Sequence, residues 1–79
     1  MEIIETSIFT RQITELISED EYAELQFALI QRPAQGNIIP KSGSIRKIRW
    51  AGSGRGKRGG IRVIYDWQVN EHPIFMLLA

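Results

Sequence analysis

Two alternating apolar and polar runs around a glycine-rich basic loop constrain the fold of this 79-residue chain more than any other feature. They occupy the segment 45–67, which is rich in residues that favour β-strands. Side chains alternate across a strand, and glycine allows the tight turns that connect strands. The segment therefore predicts a β-hairpin with a basic tip.

Positive charge is concentrated on this hairpin, although the net charge of the chain is only +1. Residues 1–40 carry two arginines against seven acids, and residues 41–79 carry eight basic residues against two acids. The two balances are −5 and +6, and no Asp or Glu occurs from Leu25 to Tyr65. Such a separation favours a polyanionic partner, most commonly a nucleic acid.

Alternation along the hairpin predicts that Lys47, Arg49 and Arg62 share one face of a sheet. The other face would pack against helices and bury its apolar side chains, which leaves the basic set on the open face. The buried set is expected to be Ile48, Trp50, Val63, Tyr65 and Trp67. An alternative interpretation is that the three basic residues are ordinary solvated positions of an antiparallel sheet.

The loop of the hairpin places Arg55, Lys57 and Arg58 among glycines, which suits sequence-independent contact with phosphates. The alternative is a disordered tip whose charges maintain solubility. Residues 54–59 also match the dinucleotide pattern G-x-G-x-x-G, but a strand follows where that fingerprint requires a helix. We therefore exclude a dinucleotide site.

Two helices are predicted between a short strand around Ile3 and the hairpin. Thr6 or Ser7 would cap the first helix, and its apolar face would be Phe9, Ile13, Leu16 and Ile17. Ser18 and Glu21 match a capping box for the second helix, which must end near Arg32 because Pro33 follows. The inner face of this helix would be Tyr22, Leu25, Ala28 and Leu29.

The remaining segments complete one predicted domain over residues 1–79. Residues 33–40 are expected to be irregular, and residues 74–79 to form a buried strand. The predicted fold class is α+β, with a short N-terminal strand, two helices and a three-stranded antiparallel meander forming a small twisted sheet.

Several function classes are excluded by the composition. No run approaches the roughly 20 apolar residues of a membrane span, and the N-terminus has no signal-peptide pattern. Cysteine is absent, and no metal-ligand spacing occurs. We expect a cytoplasmic protein without a cofactor, a metal or a membrane partner.

The string SIRKIRWAGSGRGKRGGIRVIY, residues 44–65, resembles the signature G-L-R-K-I-R … G-K-G-K-R-G-G-x-R-I-I-Y of HigB-type toxins. These belong to the RelE/ParE toxin superfamily, and the similarity extends along essentially the whole chain. The resemblance implies a RelE-like fold and the toxin of a type II toxin–antitoxin system. It implies a ribosome-dependent endoribonuclease, or mRNA interferase, that cuts mRNA in the ribosomal A site without a metal ion.

The resemblance also implies roles for the basic residues. Lys47, Arg49 and Arg62 would be catalytic, with Arg62 at the scissile phosphate and the other two positioning RNA or assisting the attacking 2′-hydroxyl. RNA contacts are implied for the other basic residues of the hairpin, Arg46, Arg55, Lys57 and Arg58. The implied partners are the ribosome, mRNA and a cognate antitoxin, expected to be a helix-turn-helix protein.

One departure from the family affects the expected activity. Members continue past the last strand with a polar segment and a C-terminal helix, whereas this sequence stops at Ala79. We therefore expect a form truncated relative to the family, inactive if the missing segment completes the site. Its bared apolar sheet surface would favour a homodimer.

Two other functions remain open at this point. One is a ParE-like toxin that inhibits DNA gyrase by protein binding, and the other is a small RNA-binding module without catalysis. Basic residues at positions 47, 49 and 62 together favour the nuclease over the gyrase inhibitor.

Overall fold

The computed structural model describes residues 1–51, 60–68 and 73–79. Within these ranges, two helices pack on one face of a five-stranded sheet, so the α+β prediction is confirmed. The strands are β1 Ile3–Glu5, β2 Asn37–Ile38, β3 Ile45–Trp50, β4 Ile61–Trp67 and β5 Ile74–Leu78. The helices are α1 Ser7–Leu16 and α2 Glu19–Gln31, and a short 3-10 helix, Pro33–Gln35, precedes β2.

The sheet is mixed and has the order β1-β5-β4-β3-β2. Strands β3, β4 and β5 run antiparallel in succession, as the predicted meander requires. The sheet is larger than the predicted three-stranded meander, because it has two further strands. Strand β1 pairs with β5 in parallel, and β2 pairs with β3 antiparallel. Alternation in a sequence identifies strands but does not identify their neighbours, so these two edges could not be assigned.

Both helices begin at side-chain caps that the sequence predicts. The Thr6 hydroxyl accepts a hydrogen bond from the Phe9 amide at 3.0 Å. At the start of α2 the Ser18 hydroxyl accepts from the Glu21 amide at 3.1 Å, and the Glu21 carboxylate accepts from the Ser18 amide at 3.0 Å. This reciprocal capping box is confirmed, as is the end of α2 immediately before Pro33.

The core lies between the helices and the sheet. Its buried side chains are Phe9, Ile13, Leu25, Leu29, Val63, Tyr65, Ile74 and Met76. Leu16 is 48% exposed, so its assignment to the core is wrong; it is the last residue of α1, and Ile17 packs there instead.

Strand β5 is buried on only one face. Ile74 and Met76 pack under the helices, whereas Phe75 is 39% exposed beside Ile4 of β1. The prediction of a fully buried strand is therefore wrong for the outward side chains. Neither helix in the described part of the chain is long and apolar enough to cross a membrane.

Candidate functional site

The three basic residues assigned to one face of the hairpin do lie together. Arg49 of β3 is directly opposite Arg62 of β4, and Lys47 is opposite Ile64, so all three point away from the helices. Each of the three is exposed. Because strands hold their side chains in fixed register, this is a positioned basic cluster rather than a set of independent surface charges.

Arg49 and Arg62 bring two like charges together across the strand pair. Like charges directly opposite one another in an antiparallel pair destabilise it, typically by a few tenths of a kcal/mol. Asp66 lies on the same face, opposite Ile45, which is two residues before Lys47 on β3. Its carboxylate accepts a hydrogen bond from the Ser44 hydroxyl. A bound anion at Arg49 and Arg62 would remove the repulsion between them.

A cleft of about 400 Å³ opens beside these cations. One wall consists of Lys47, Arg49 and Arg62, and the other is the segment of residues 35–37 that leads into β2. The volume falls at the lower end of the range of roughly 300–1,000 Å³ found for small-ligand pockets. It is open to solvent, positively charged on one side and lined by amide groups on the other.

The hydroxyl of Tyr65 fixes the second wall from within the core. It donates to the Pro33 carbonyl at 2.7 Å and accepts from the Gly36 amide at 3.0 Å. Burial raises the pKa of Tyr65, although the Gly36 amide and the charge of Arg46 act in the opposite direction. The phenol therefore stays protonated at neutral pH and keeps both hydrogen bonds.

Gly36 is the point of closest approach between this wall and the sheet. A Cβ at position 36 would lie 2.8 Å from the Tyr65 hydroxyl and 2.9 Å from the Lys47 carbonyl oxygen. Both distances are shorter than side-chain carbons tolerate. Glycine at position 36 therefore allows β2 to lie against β3, where the segment forms the second wall of the cleft.

Arg46 lies on the opposite face of the sheet from Lys47, Arg49 and Arg62. Its Nη1 donates to the carbonyl oxygens of Gly36 at 2.7 Å and Ala34 at 3.1 Å, and its guanidinium lies 6.0 Å from the centre of the Trp67 ring. Its assigned RNA contact stays a prediction. Even-numbered positions of β3 face the helices, so the Arg46 side chain does not line the cleft. It supports the wall of residues 35–37 from the helix side.

Three residues with a predicted RNA contact lie in the hairpin loop. Arg55, Lys57 and Arg58 lie outside the described residues, so the predicted role of the loop stays a prediction. The other wall of the cleft consists of Gln35, Gly36 and Asn37. The sequence predicts only an irregular connection over residues 33–40 and does not identify these three as functional residues. A two-residue strand has no alternation to detect, so the sequence carries no signal that would have identified them.

None of the acidic residues that the structure describes lines the cleft. Glu5 accepts hydrogen bonds from the Tyr22 hydroxyl at 2.6 Å and the Thr10 hydroxyl at 2.5 Å, and so links β1 to both helices. No group of three His, Asp or Glu side chains within residues 1–51, 60–68 and 73–79 could hold a metal ion. No protein-family model matches the chain.

Proposed function

We propose that the open sheet face binds the phosphates of single-stranded RNA and that the protein is the toxin of a type II toxin–antitoxin system. The observation that carries the proposal is the direct opposition of Arg49 and Arg62, with Lys47 beside them. Paired guanidinium groups match the geometry and charge of a phosphate, which supports phosphate as the ligand of this cluster. The similarity of residues 44–65 to HigB-type toxins supports ribosome-bound mRNA as the proposed substrate.

The proposed reaction is attack of a ribose 2′-hydroxyl oxygen on the adjacent phosphorus. The new O–P bond forms as the bond to the 5′-oxygen breaks, which leaves a 2′,3′-cyclic phosphate and a 5′-hydroxyl. The 2′-hydroxyl loses a proton and the leaving 5′-oxygen gains one. Arg62 and Arg49 stabilise the negative charge that increases on the phosphoryl oxygens.

Proton transfer falls to a different residue. A guanidinium stays protonated throughout, whereas a lysine ammonium can exchange its proton. Lys47 is the one such group among the described residues that line the cleft. It is therefore our candidate for assisting the attacking hydroxyl or the leaving oxygen.

The proposal includes partners. A cognate antitoxin, expected to be a helix-turn-helix protein encoded nearby, would neutralise the toxin, and the basic half of the chain would attract an acidic segment of it. Co-expression followed by affinity purification tests this, and failure to co-purify would remove the toxin–antitoxin part of the proposal. The predicted homodimer is tested separately by sedimentation equilibrium.

Substitution of Arg62 is the direct test of the site. Arg62→Ala should reduce cleavage of ribosome-bound mRNA by about 10²–10³-fold, because a charge aimed at the transition state is lost. Lys47→Ala and Arg49→Ala should each reduce the cleavage rate less than Arg62→Ala does. The double variant should reduce it severely, since the effects of groups that act as a unit are not additive. Primer extension on ribosome-bound mRNA measures the cleavage.

Arg11→Ala provides the matched control, because it removes one exposed guanidinium from α1 on the other side of the molecule. Each exposed substitution should change the free energy of unfolding by no more than about 0.5 kcal/mol. Salt-sensitive RNA binding that needs Arg62, without cleavage by the unaltered chain and without co-purification of an antitoxin, would favour the RNA-binding module. Absence of RNA binding at low salt, together with inhibition of gyrase, would favour the ParE-like toxin.

A further inference from the structure

Helix α2 carries an apolar stripe on the side that faces away from the sheet. Leu25 and Leu29 are completely buried between the helix and the sheet. Phe27 lies midway between them in the chain, so at about 100° per residue it projects from the opposite side of the helix. It is 65% exposed, more than any other large apolar side chain in the described part of the chain.

The stripe has the spacing of a contact between two helices. Ala23, Phe27 and Ile30 follow one another at intervals of four and three residues, and all three are exposed. Such alternating intervals form the seam along which two helices pack the side chains of one between those of the other. Single exposed apolar residues are ordinary on a protein surface, whereas a contiguous stripe marks a surface for association.

The two ends of α2 differ in charge. Glu19 and Asp20 lie in its first turn, no Lys or Arg occurs within it, and the exposed Arg32 is its C-terminal cap residue. When two copies of α2 pack antiparallel, the acidic start of each helix lies at the Arg32 end of the other. Parallel packing would bring the two acidic ends together, which like charge opposes. The helix surface is therefore complementary to itself in the antiparallel direction.

We propose that this stripe binds a second copy of the chain, with the two α2 helices antiparallel and related by a two-fold axis at the level of residue 25, the middle of the helix. Full overlap of the helices places Phe27 of each copy against Ala23 of the other, so a large side chain meets a small one twice. Because α2 and the basic cluster lie on opposite faces of the sheet, both copies keep the cleft accessible.

This contact differs from the sheet surface on which the sequence predicts a dimer. The apolar side chains Ile4 and Phe75 on the open sheet face are each only 39% exposed. They share that face with the basic cluster. Two copies that met there face to face would bring two basic clusters into one interface, which like charge opposes. The helix stripe therefore fits a second copy better than the sheet does.

Sedimentation equilibrium over a range of protein concentrations tests the proposal. One pair of 13-residue helices covers less than the roughly 1,200–2,000 Å² of a stable interface, so we expect weak association with a Kd on the order of 100 µM. Phe27→Ser should raise this Kd at least about tenfold, since an aromatic anchor is lost from both copies. The fold should persist, because position 27 lies outside the core and the two residue types have similar helix propensities.

Phe75→Ser is the matched control, because it removes an exposed phenylalanine from the sheet face instead of the helix. The Kd for self-association should stay within about twofold of that of the unaltered chain.

The absence of cysteine from the chain allows a direct test of helix direction. In the proposed register, position 20 of one copy lies opposite position 30 of the other. A mixture of Asp20→Cys and Ile30→Cys should therefore form a mixed disulfide under mild oxidation, and neither variant alone should form one with itself. Parallel helices would give the reverse result.

Three results would overturn the inference. One is an unaltered chain that stays monomeric up to about 1 mM protein. Another is self-association that Phe27→Ser does not weaken, and its loss in Phe75→Ser would place the contact on the sheet. The third is oxidation that yields no mixed disulfide. None of these measurements involves RNA, so the proposed function stands or falls separately.

Discussion

At the scale of single residues, Tyr65 contacts both the core and the wall of the cleft. Its ring is completely buried in the core, and its hydroxyl holds the Pro33 carbonyl and the Gly36 amide at the edge of the cleft. One side chain thus connects core packing with the position of the cleft wall. Together with the pairing of β2 and β3, this connection holds Asn37 beside the basic cluster.

Tyr65→Phe should therefore weaken both stability and the cleft wall. The substitution leaves the ring in place but deprives two buried backbone groups of their partner, so we expect a loss of about 1–3 kcal/mol in urea denaturation. Amide hydrogen exchange in residues 36–39 should become faster than in the rest of the sheet. Tyr22→Phe, which removes the hydroxyl bonded to Glu5, is the control and should leave exchange in that segment unchanged.

Alkaline pH should destabilise the protein through its two tyrosines. Burial raises the pKa of Tyr22 and Tyr65, and the hydrogen bond to Glu5 raises that of Tyr22 further. The unfolded chain loses these protons near pH 10, whereas the folded chain retains them to higher pH. Their contribution to stability is therefore complete below about pH 10 and falls as the pH rises above it, because the unfolded state then binds fewer protons.

Urea midpoints measured between about pH 8 and pH 11 check this expectation. The midpoint should decline over the upper part of that range, and Tyr22→Phe should make the decline shallower. A midpoint that rises with pH would contradict it.

At the scale of elements, α2 illustrates how local chemistry sets a helix boundary. Its first turn contains Glu19, Asp20 and Glu21, which interact favourably with the positive end of the helix dipole. Ser18 and Glu21 complete the capping box, and Pro33 prevents continuation beyond the Arg32 cap. The acidic cluster at this position is accounted for by the helix itself.

Ser18→Ala should destabilise the protein by about 1 kcal/mol, the usual cost of removing a serine cap. Thermal or urea unfolding monitored by circular dichroism measures the change. Ser7→Ala is the matched control, because Ser7 is the first residue of α1 and the capping hydroxyl of that helix belongs to Thr6. An equal loss in both variants would show that the capping box contributes nothing specific.

At the scale of the whole molecule, charge is divided between the two halves of the chain. The helices and β1 belong to the half of the chain with a balance of −5, and β3 and β4 belong to the half with a balance of +6. The cations on the open face are thus remote in sequence from most of the acids. A polyanion should approach the molecule from the sheet side.

RNA binding should accordingly weaken steeply with salt. If Lys47, Arg49 and Arg62 each neutralise one phosphate, they contribute roughly −2 to the slope of log K against log salt concentration for single-stranded RNA. Each alanine substitution among them should reduce the magnitude by about 0.7, and Arg11→Ala should not change it. A slope unaffected by the three substitutions would place the contacts elsewhere.

Features that depend on near neighbours along the chain can be predicted from the amino-acid sequence. These are the Thr6 and Ser18 caps, the end of α2 before Pro33, and the shared face of Lys47, Arg49 and Arg62. Each follows from a local hydrogen bond, a steric restriction or the alternation of a strand, and none requires knowledge of what lies opposite.

The second wall of the cleft, by contrast, depends on tertiary packing. Strand β2 has two residues and no periodic pattern, and its position is set by Tyr65, which lies 29 residues beyond Gly36. Arg46 supports the same wall, because its guanidinium donates to the Gly36 carbonyl. In the sequence it stands directly beside Lys47, and nothing there distinguishes its role from that of Lys47. Which backbone groups a buried hydroxyl or guanidinium will meet is a property of the packed core, and no local pattern encodes it.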